Sequence, residues 1–441
     1  MSKIIKISNS IKPFKKTIEI EGDKSLSIRW ALLASQAKGK SISYNLLRSE
    51  DVISTLNCLK KLGIKIRLIK NKCIIVGKGL NGFNFKKKII LNAGNSGTLA
   101  RLLPGLLIHS KNEIIIKGDK SLSKRDFKRI IRPLQKFGAK IKTNNGKLPM
   151  KIKGTIHPKP IKYFEMRGSA QCKSCVMLAA LNTKGTTKIK AKISRNHSEL
   201  LFRYLRLPIK VKRINNYDFI NVSGKKIIKP FNYKIPSDIS SSSFFIVLTA
   251  LSKNSNLKIK SVNINPTRIG ILKILKKMGV QIIIKNKKIL NGEKVGDLYI
   301  ESNQSLKSIN CSPNLNSSAI DEFLLIFLLA AKANGVSRFK KLSELNQKES
   351  PRLKWGSKLL TRIGIKNVVT KDSIKIYGNP NPVIKKNIII KNFLKDHRVF
   401  MASVVAALVF GGNWKIHDKD SIKTSFPSFL AKIKGLGAKI S

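Results

Sequence analysis

Two patterns of apolar and polar positions alternate along the chain. Short stretches such as Ile4–Ile7 and Thr17–Glu21 place apolar residues at strand spacing. Longer stretches such as Trp30–Ala37 carry a helical stripe. Phe323–Ala331 and Val399–Phe410 are apolar all round and predict buried core helices. Neither reaches the roughly 20 residues that a bilayer crossing needs.

The end of a helical stripe recurs six times. It reads L-G-I-K-I from Leu62, F-G-A-K-I from Phe137, L-P-I-K-V from Leu207, M-G-V-Q-I from Met278, I-G-I-K-N from Ile363 and L-G-A-K-I from Leu436. The second positions are 63, 138, 208, 279, 364 and 437. A glycine there takes the left-handed conformation that closes a helix, and Pro208 stops a helix by lacking a donor. The interval, near 70 residues, exceeds a helical solenoid unit and suits a small α/β subdomain. Six subdomains predict an α/β (α+β) chain of two lobes with three repeats each. The turn-rich Lys234–Ser243 offers a crossing point. The expected lobes are 22–236, and 1–21 plus 237–441, joined by two crossovers.

Composition adds charge. The 441 residues include 88 Lys and Arg against 23 Asp and Glu, a net charge of +65. Such a field favours anionic partners, but the lysines are spread from end to end and form no basic tail. Aromatic residues make up 7%, with no stripe interleaved with a basic groove, so no specific nucleic-acid partner is expected. Five irregularly spaced cysteines exclude a disulfide framework, and Cys172-x-x-Cys175 lacks the further ligands of a zinc site. No cluster calls for a metal or cofactor, and a soluble, cytoplasmic monomer is expected.

Candidate chemistry collects where strands give way to helices. Gly22-Asp-Lys-Ser-Leu-Ser-Ile-Arg29 puts Lys24, Ser25 and Arg29 at a helix N-terminus, where free N–H groups attract anions. Asn92-Ala-Gly-Asn-Ser-Gly-Thr-Leu-Ala-Arg101 lets backbone approach an anion closely, with Thr98 as the expected cap. Gly118-Asp-Lys-Ser-Leu-Ser-Lys-Arg125 repeats the first cluster, and Gly168-Ser-Ala-Gln-Cys-Lys-Ser174 supplies neutral donors. Acids follow: Ile320-Asp-Glu322 opens an apolar helix, Lys348-Glu-Ser-Pro-Arg352 alternates charges, and Asp396-His-Arg398 abuts a buried run. A solvated charge run is the ordinary reading of Lys348–Arg352. Charges against a long apolar helix must be paired or bind something.

In order and wording these segments, with Asn265-Pro-Thr-Arg268, resemble the 5-enolpyruvylshikimate-3-phosphate synthases, enolpyruvyl transferases of the shikimate pathway. The resemblance is closer to the bacterial class with S-A-Q and N-P-T-R, and runs from Gly22 to the C-terminus. It implies a two-lobed fold of six βαβαββ-type units. It also implies transfer of the enolpyruvyl (1-carboxyvinyl) group of phosphoenolpyruvate to the 5-hydroxyl of shikimate 3-phosphate, on the way to chorismate and the aromatic amino acids. Carried over by motif, Lys24, Ser25, Arg29, Ser169, Ala170 (through its backbone) and Gln171 hold shikimate 3-phosphate. Gly97, Arg125, Arg352 and Arg398 form the phosphoenolpyruvate site, which Lys24 also reaches. Asp321 accepts the hydroxyl proton, Lys348 orients that hydroxyl, and Glu349 protonates the methylene carbon. The herbicide glyphosate competes for the phosphoenolpyruvate site, beside Gly97.

The chain departs from the family pattern at Asn346, Pro351 and Ser237, where Arg, Asp and Gly are usual. Thr424 stands where some members carry a lysine, with Lys423 one residue earlier. The nearest alternative is the sister transferase acting on UDP-N-acetylglucosamine. Its mobile-loop cysteine has no counterpart in Gly118–Arg125. A polyanion-binding protein is the alternative from another class.

Overall fold

The computed structural model describes all residues except 1, 2, 86, 225, 303, 304, 383, 385 and 386. The chain forms two compact units. The N-terminal unit is Gly22–Pro236 with Ile289–Glu293; the C-terminal unit is Met1–Glu21, Ser237–Lys288 and Lys294–Ser441. Five residues expected in the C-terminal lobe thus pack with the N-terminal unit. Glu293 Oε1 lies 2.7 Å from His197 Nδ1, and Asn291 bonds the Tyr204 hydroxyl and the backbone N–H of Lys234.

The helices of the N-terminal unit are α1 (Lys24–Ser35), α2 (Glu50–Lys61), α3 (Gly97–Leu107), α4 (Lys120–Ser123), α5 (Lys128–Lys136), α6 (Ala170–Leu181) and α7 (His197–Tyr204). Three four-stranded sheets accompany them. Lys88–Asn92 pairs parallel with Glu113–Lys117, which runs antiparallel to Lys147–Lys153, and that strand to Lys140–Asn144. The other two sheets have the same order and senses. The C-terminal unit holds α8 (Ile239–Leu251), α9 (Gly270–Lys277), α10 (Asn316–Ala319), α11 (Phe323–Lys332), α12 (Arg352–Arg362), α13 (His397–Phe410) and α14 (Phe429–Gly435). Alternating strands turn their apolar residues onto buried helices; α8 is buried along its whole length.

The ends of the units are exchanged along the chain. Lys15–Glu19, just before the first crossover, pairs parallel with Asn256–Asn263 in the fourth subdomain. Asn232–Lys234, just before the second, pairs parallel with Lys38–Tyr44 in the first. The last subdomain is completed by Ile5–Ile7, antiparallel to Trp414–Ile416. At the first crossover a Cβ on Gly22 would stand 2.0 Å from the Asn45 carbonyl oxygen, so only glycine fits. Ser237, in place of the family's usual glycine, donates its hydroxyl to the Ile20 carbonyl at 2.8 Å.

The six helix ends are alike, with one correction. Gly63, Gly138, Gly279, Gly364 and Gly437 all have φ between +75° and +108°. Each donates its N–H three residues back, and the following residue donates five residues back, as Gly63 to Lys60 and Ile64 to Leu59. In the third copy this pattern belongs to Arg206 (φ +53°) and Leu207, bonded to Arg203 and Phe202. The third motif therefore begins at Leu205, and Arg206 rather than Pro208 fills the glycine position. Pro208 starts the chain toward the next strand.

Candidate active site

In the N-terminal unit the three leading helices of the subdomains open beside polar caps. Asp23 accepts from the Leu26 N–H at 2.9 Å above α1, Ser96 from Leu99 at 3.2 Å above α3, and Ser169 from Cys172 at 3.3 Å above α6. Their first residues are Lys24, Gly97 and Ala170, all candidates from sequence. The cap of α3 is Ser96, not Thr98. Thr98 already lies inside the helix, and its hydroxyl accepts from Gln171 Nε2 at 3.0 Å.

Side chains link these openings. Gln171 Oε1 accepts from Arg101 Nη1 at 3.1 Å, and the same nitrogen lies 3.2 Å from the Gly97 carbonyl. The Arg101 guanidinium stacks 5.1 Å over Phe127. A Cβ on Gly97 would stand 2.8 Å from Arg101 Nη1 and 2.9 Å from Arg125 Nη1. Gly97, Arg101, Arg125 and Gln171 are thus one cluster. Arg29 reaches α6 through Ser174, and Lys24 Nζ lies 2.8 Å from Asp51 Oδ2 on α2. The Ser169 N–H donates to Glu165, which also pairs with Arg129.

The candidates of the C-terminal unit converge on one guanidinium. Arg352, at the first position of α12, is 1% exposed, which corrects the solvated reading of Lys348–Arg352. Its Nε lies 2.9 Å from Asp396 Oδ2, its Nη1 3.4 Å from Asp321 Oδ1, and its Nη2 bonds Glu349. Lys348 Nζ stands 3.2 Å from Asp321 Oδ1, and Arg398 Nη1 donates to the Asp321 backbone carbonyl at 2.9 Å. Asp321 is partly open while the neighbouring Glu322 is buried and accepts from Ser240. Asp321, Lys348, Glu349, Arg352 and Arg398 therefore form a single network.

Asp396 is its anchor. Besides Arg352 it accepts from the Ser350 N–H and hydroxyl and from the Arg398 N–H, where it caps α13. Burial works against its charge, but the Arg352 guanidinium outweighs this and holds the carboxyl below its ordinary range. Burial likewise disfavours the charge of Arg352, yet Asp396, Glu349 and Asp321 keep it protonated more firmly than a free arginine.

Sequence reasoning did not assign Asp51, Arg101 or Asp396 to the site. Arg101 and Asp396 lie inside the quoted motifs, and each does its work by holding an assigned neighbour. Asp51, in the first turn of α2, reads in sequence as an ordinary dipole-favoured acid. Lys423 stands half-exposed beside Asp420, whereas Thr424 reaches His397 Nδ1 at 3.3 Å. Pro351 occupies the cap position of α12 and offers no side-chain acceptor there. The Asn346 amide contacts only the Lys371 carbonyl among the described hydrogen bonds, at 3.4 Å. Among the described residues no group of three His, Cys, Asp or Glu side chains is placed to hold a metal ion, and no helix is long and apolar enough to cross a membrane.

Known proteins were compared with the chain at three levels. The family model for EPSP synthase (3-phosphoshikimate 1-carboxyvinyltransferase) matches residues 8–433. A 3-phosphoshikimate 1-carboxyvinyltransferase of Ruthia magnifica subsp. Calyptogena magnifica is 40% identical, covering 100% of this chain and 99% of its own length. That of Petrotoga mobilis is 37% identical over 93% of this chain and 94% of its own. A solved EPSP synthase from Acinetobacter baumannii superimposes with a TM-score of 0.87 at 33% identity, covering 100% of this chain and 99% of that one. The enolpyruvyl transferase NikO from Streptomyces tendae, at 14% identity and a TM-score of 0.78 over 100% and 98% of the two chains, shares the fold. With a family-model match along almost its whole length and a full-length relative at 40% identity, the chain belongs to the EPSP synthase (3-phosphoshikimate 1-carboxyvinyltransferase) family.

Proposed function

We propose that this chain transfers the enolpyruvyl group of phosphoenolpyruvate to the 5-hydroxyl of shikimate 3-phosphate and releases inorganic phosphate. The observation that carries the reading is the network around Arg352, in which two partly open carboxylates, Asp321 and Glu349, share one buried guanidinium. Lys24, Ser25, Arg29, Ser169, the backbone of Ala170 and Gln171 bind shikimate 3-phosphate. Gly97, Arg125, Arg352 and Arg398 receive phosphoenolpyruvate, with Lys24 reaching both ligands. Cations and helix N-termini suit two polyanions.

The chemistry is addition followed by elimination. Asp321 takes the proton of the 5-hydroxyl while Lys348 orients that oxygen, and the oxygen bonds to the central carbon of phosphoenolpyruvate. Glu349 gives a proton to the methylene carbon, making a methyl group. The tetrahedral adduct then returns a methyl proton to the Glu349 carboxylate and expels its phosphate, restoring the double bond. The carboxylate and phosphate of phosphoenolpyruvate compete with Glu349 for Arg352, so arrival of the substrate favours the protonated carboxyl that the addition needs. The reaction takes place in the cytoplasm on a monomer, with glyphosate competing against phosphoenolpyruvate.

Phosphate release is the test. Release that requires both substrates supports the reading. Release with UDP-N-acetylglucosamine instead of shikimate 3-phosphate assigns the chain to the sister reaction.

A further inference from the structure

Arg29 is held by hydroxyls from two helices that are remote from it in sequence. Its Nε donates to the Ser198 hydroxyl on α7 at 2.9 Å, and its Nη2 to the Ser174 hydroxyl on α6 at 3.3 Å. Its Nη1 turns back to the Ser25 carbonyl at 3.1 Å. The two serine hydroxyls lie 2.6 Å apart. One residue along each helix, Lys173 Nζ stands 2.6 Å from Glu199 Oε1, with side chains 0% and 3% exposed. The seam between α6 and α7 therefore consists of two adjacent polar pairs inside an apolar core.

A buried ion pair is an expensive way to join two helices. Desolvation costs several kcal/mol per ion, and apolar residues of the same volume often hold such a contact as well or better. What the pair adds is selectivity: a buried amine and a buried carboxylate disfavour any register of α7 on α6 that parts them. The register that joins them brings Ser198 to Arg29 Nε. The Ser198 and Ser174 hydroxyls are neutral acceptors that fix the guanidinium plane. A planar guanidinium grips an anionic ligand in two parallel bonds only when its plane is set.

We propose that Ser198, and behind it the Lys173–Glu199 pair, are positioning residues for shikimate 3-phosphate: they set the plane of the Arg29 guanidinium. The inference rests on the assignment of Arg29 to that ligand. None of the four seam residues touches the reacting atoms in this account, so their effect falls on binding of one substrate.

The experiment is calorimetric titration of the whole protein with shikimate 3-phosphate, alongside steady-state kinetics and thermal melts. Ser198→Ala is expected to raise the Kd for shikimate 3-phosphate about tenfold, the loss of one charged hydrogen bond, with KM for phosphoenolpyruvate, kcat and Tm little changed. Glu199→Gln, which leaves Lys173 buried without its counter-charge, is expected to lower Tm and raise the same Kd. The double variant Lys173→Met with Glu199→Leu should recover Tm but not the Kd, because the helices pack again without the register. Arg29→Ala separates the two claims. If Arg29→Ala leaves shikimate 3-phosphate binding intact, the assignment of Arg29 fails. If Arg29→Ala abolishes binding while Ser198→Ala leaves the Kd at the parent value, the positioning role fails. Recovery of both Tm and Kd in the double variant would show that the ion pair only fastens the helices.

Discussion

The two units present charge in opposite ways. In the N-terminal unit Lys24 opens α1, and Arg29 and Arg101 donate to hydroxyl, amide and carbonyl oxygens. In the C-terminal unit Arg352 is enclosed by Asp321, Glu349 and Asp396. The first arrangement fixes the guanidinium planes with neutral acceptors. The second holds carboxylates in fixed places beside one cation, which suits proton transfer. In the proposed reaction the same subdomain, repeated six times, supplies ligand contacts from both units, while the acid–base carboxylates come from the C-terminal unit.

Removing the central cation is the harshest way to break that contrast. Arg352→Met leaves Asp396 buried without its main partner and should cost about 3–5 kcal/mol in stability, read as a denaturant midpoint shift. It should also change the acid limb. The folded-state Asp396 carboxyl is depressed, so its stabilising contribution is complete above its unfolded value of about 4. That contribution disappears as pH falls through the lower folded value. The parent protein should lose stability along that limb, and Arg352→Met should lose most of this dependence.

A smaller change sharpens the binding side. A methyl at Gly97 would stand within 3 Å of the Arg101 and Arg125 guanidinium ends, which must move to admit it. Gly97→Ala should raise KM for phosphoenolpyruvate and weaken glyphosate inhibition, each on the order of tenfold, with the Kd for shikimate 3-phosphate nearly unchanged. Equal inhibition of parent and variant would remove the steric argument.

The smallest effect concerns the repeats rather than the chemistry. Arg206 holds at φ +53° the position that glycine holds in the other five helix ends. Arg206→Gly should stabilise the N-terminal unit by about 1 kcal/mol, since an L-residue is strained there. No gain in the melt would mean that the left-handed cost is already offset at this helix end.

These cases mark what the sequence could tell. Helix ends were legible where glycine marks them, because few other residues take a positive φ. Arg206 gives no such signal, and the adjacent Pro208 draws the motif two residues too far. Arg352 looks like part of a solvated charge run, since nothing local shows that Asp396, 44 residues on, comes to meet it. Lys173 hides in the same way: its partner Glu199 lies across a helix contact that only the folded chain makes. The motifs identified which helix starts carry chemistry, while the partners that hold those side chains depend on tertiary packing.

The division of labour between the units is tested most directly by Asp321→Asn, measured for shikimate 3-phosphate binding and for phosphate release in parallel. Asn keeps the shape and a hydrogen bond but cannot take the proton. The account predicts a Kd within about threefold of the parent and a turnover lower by about 10²–10⁴. Turnover at the parent rate, or binding lost in step with turnover, would contradict it.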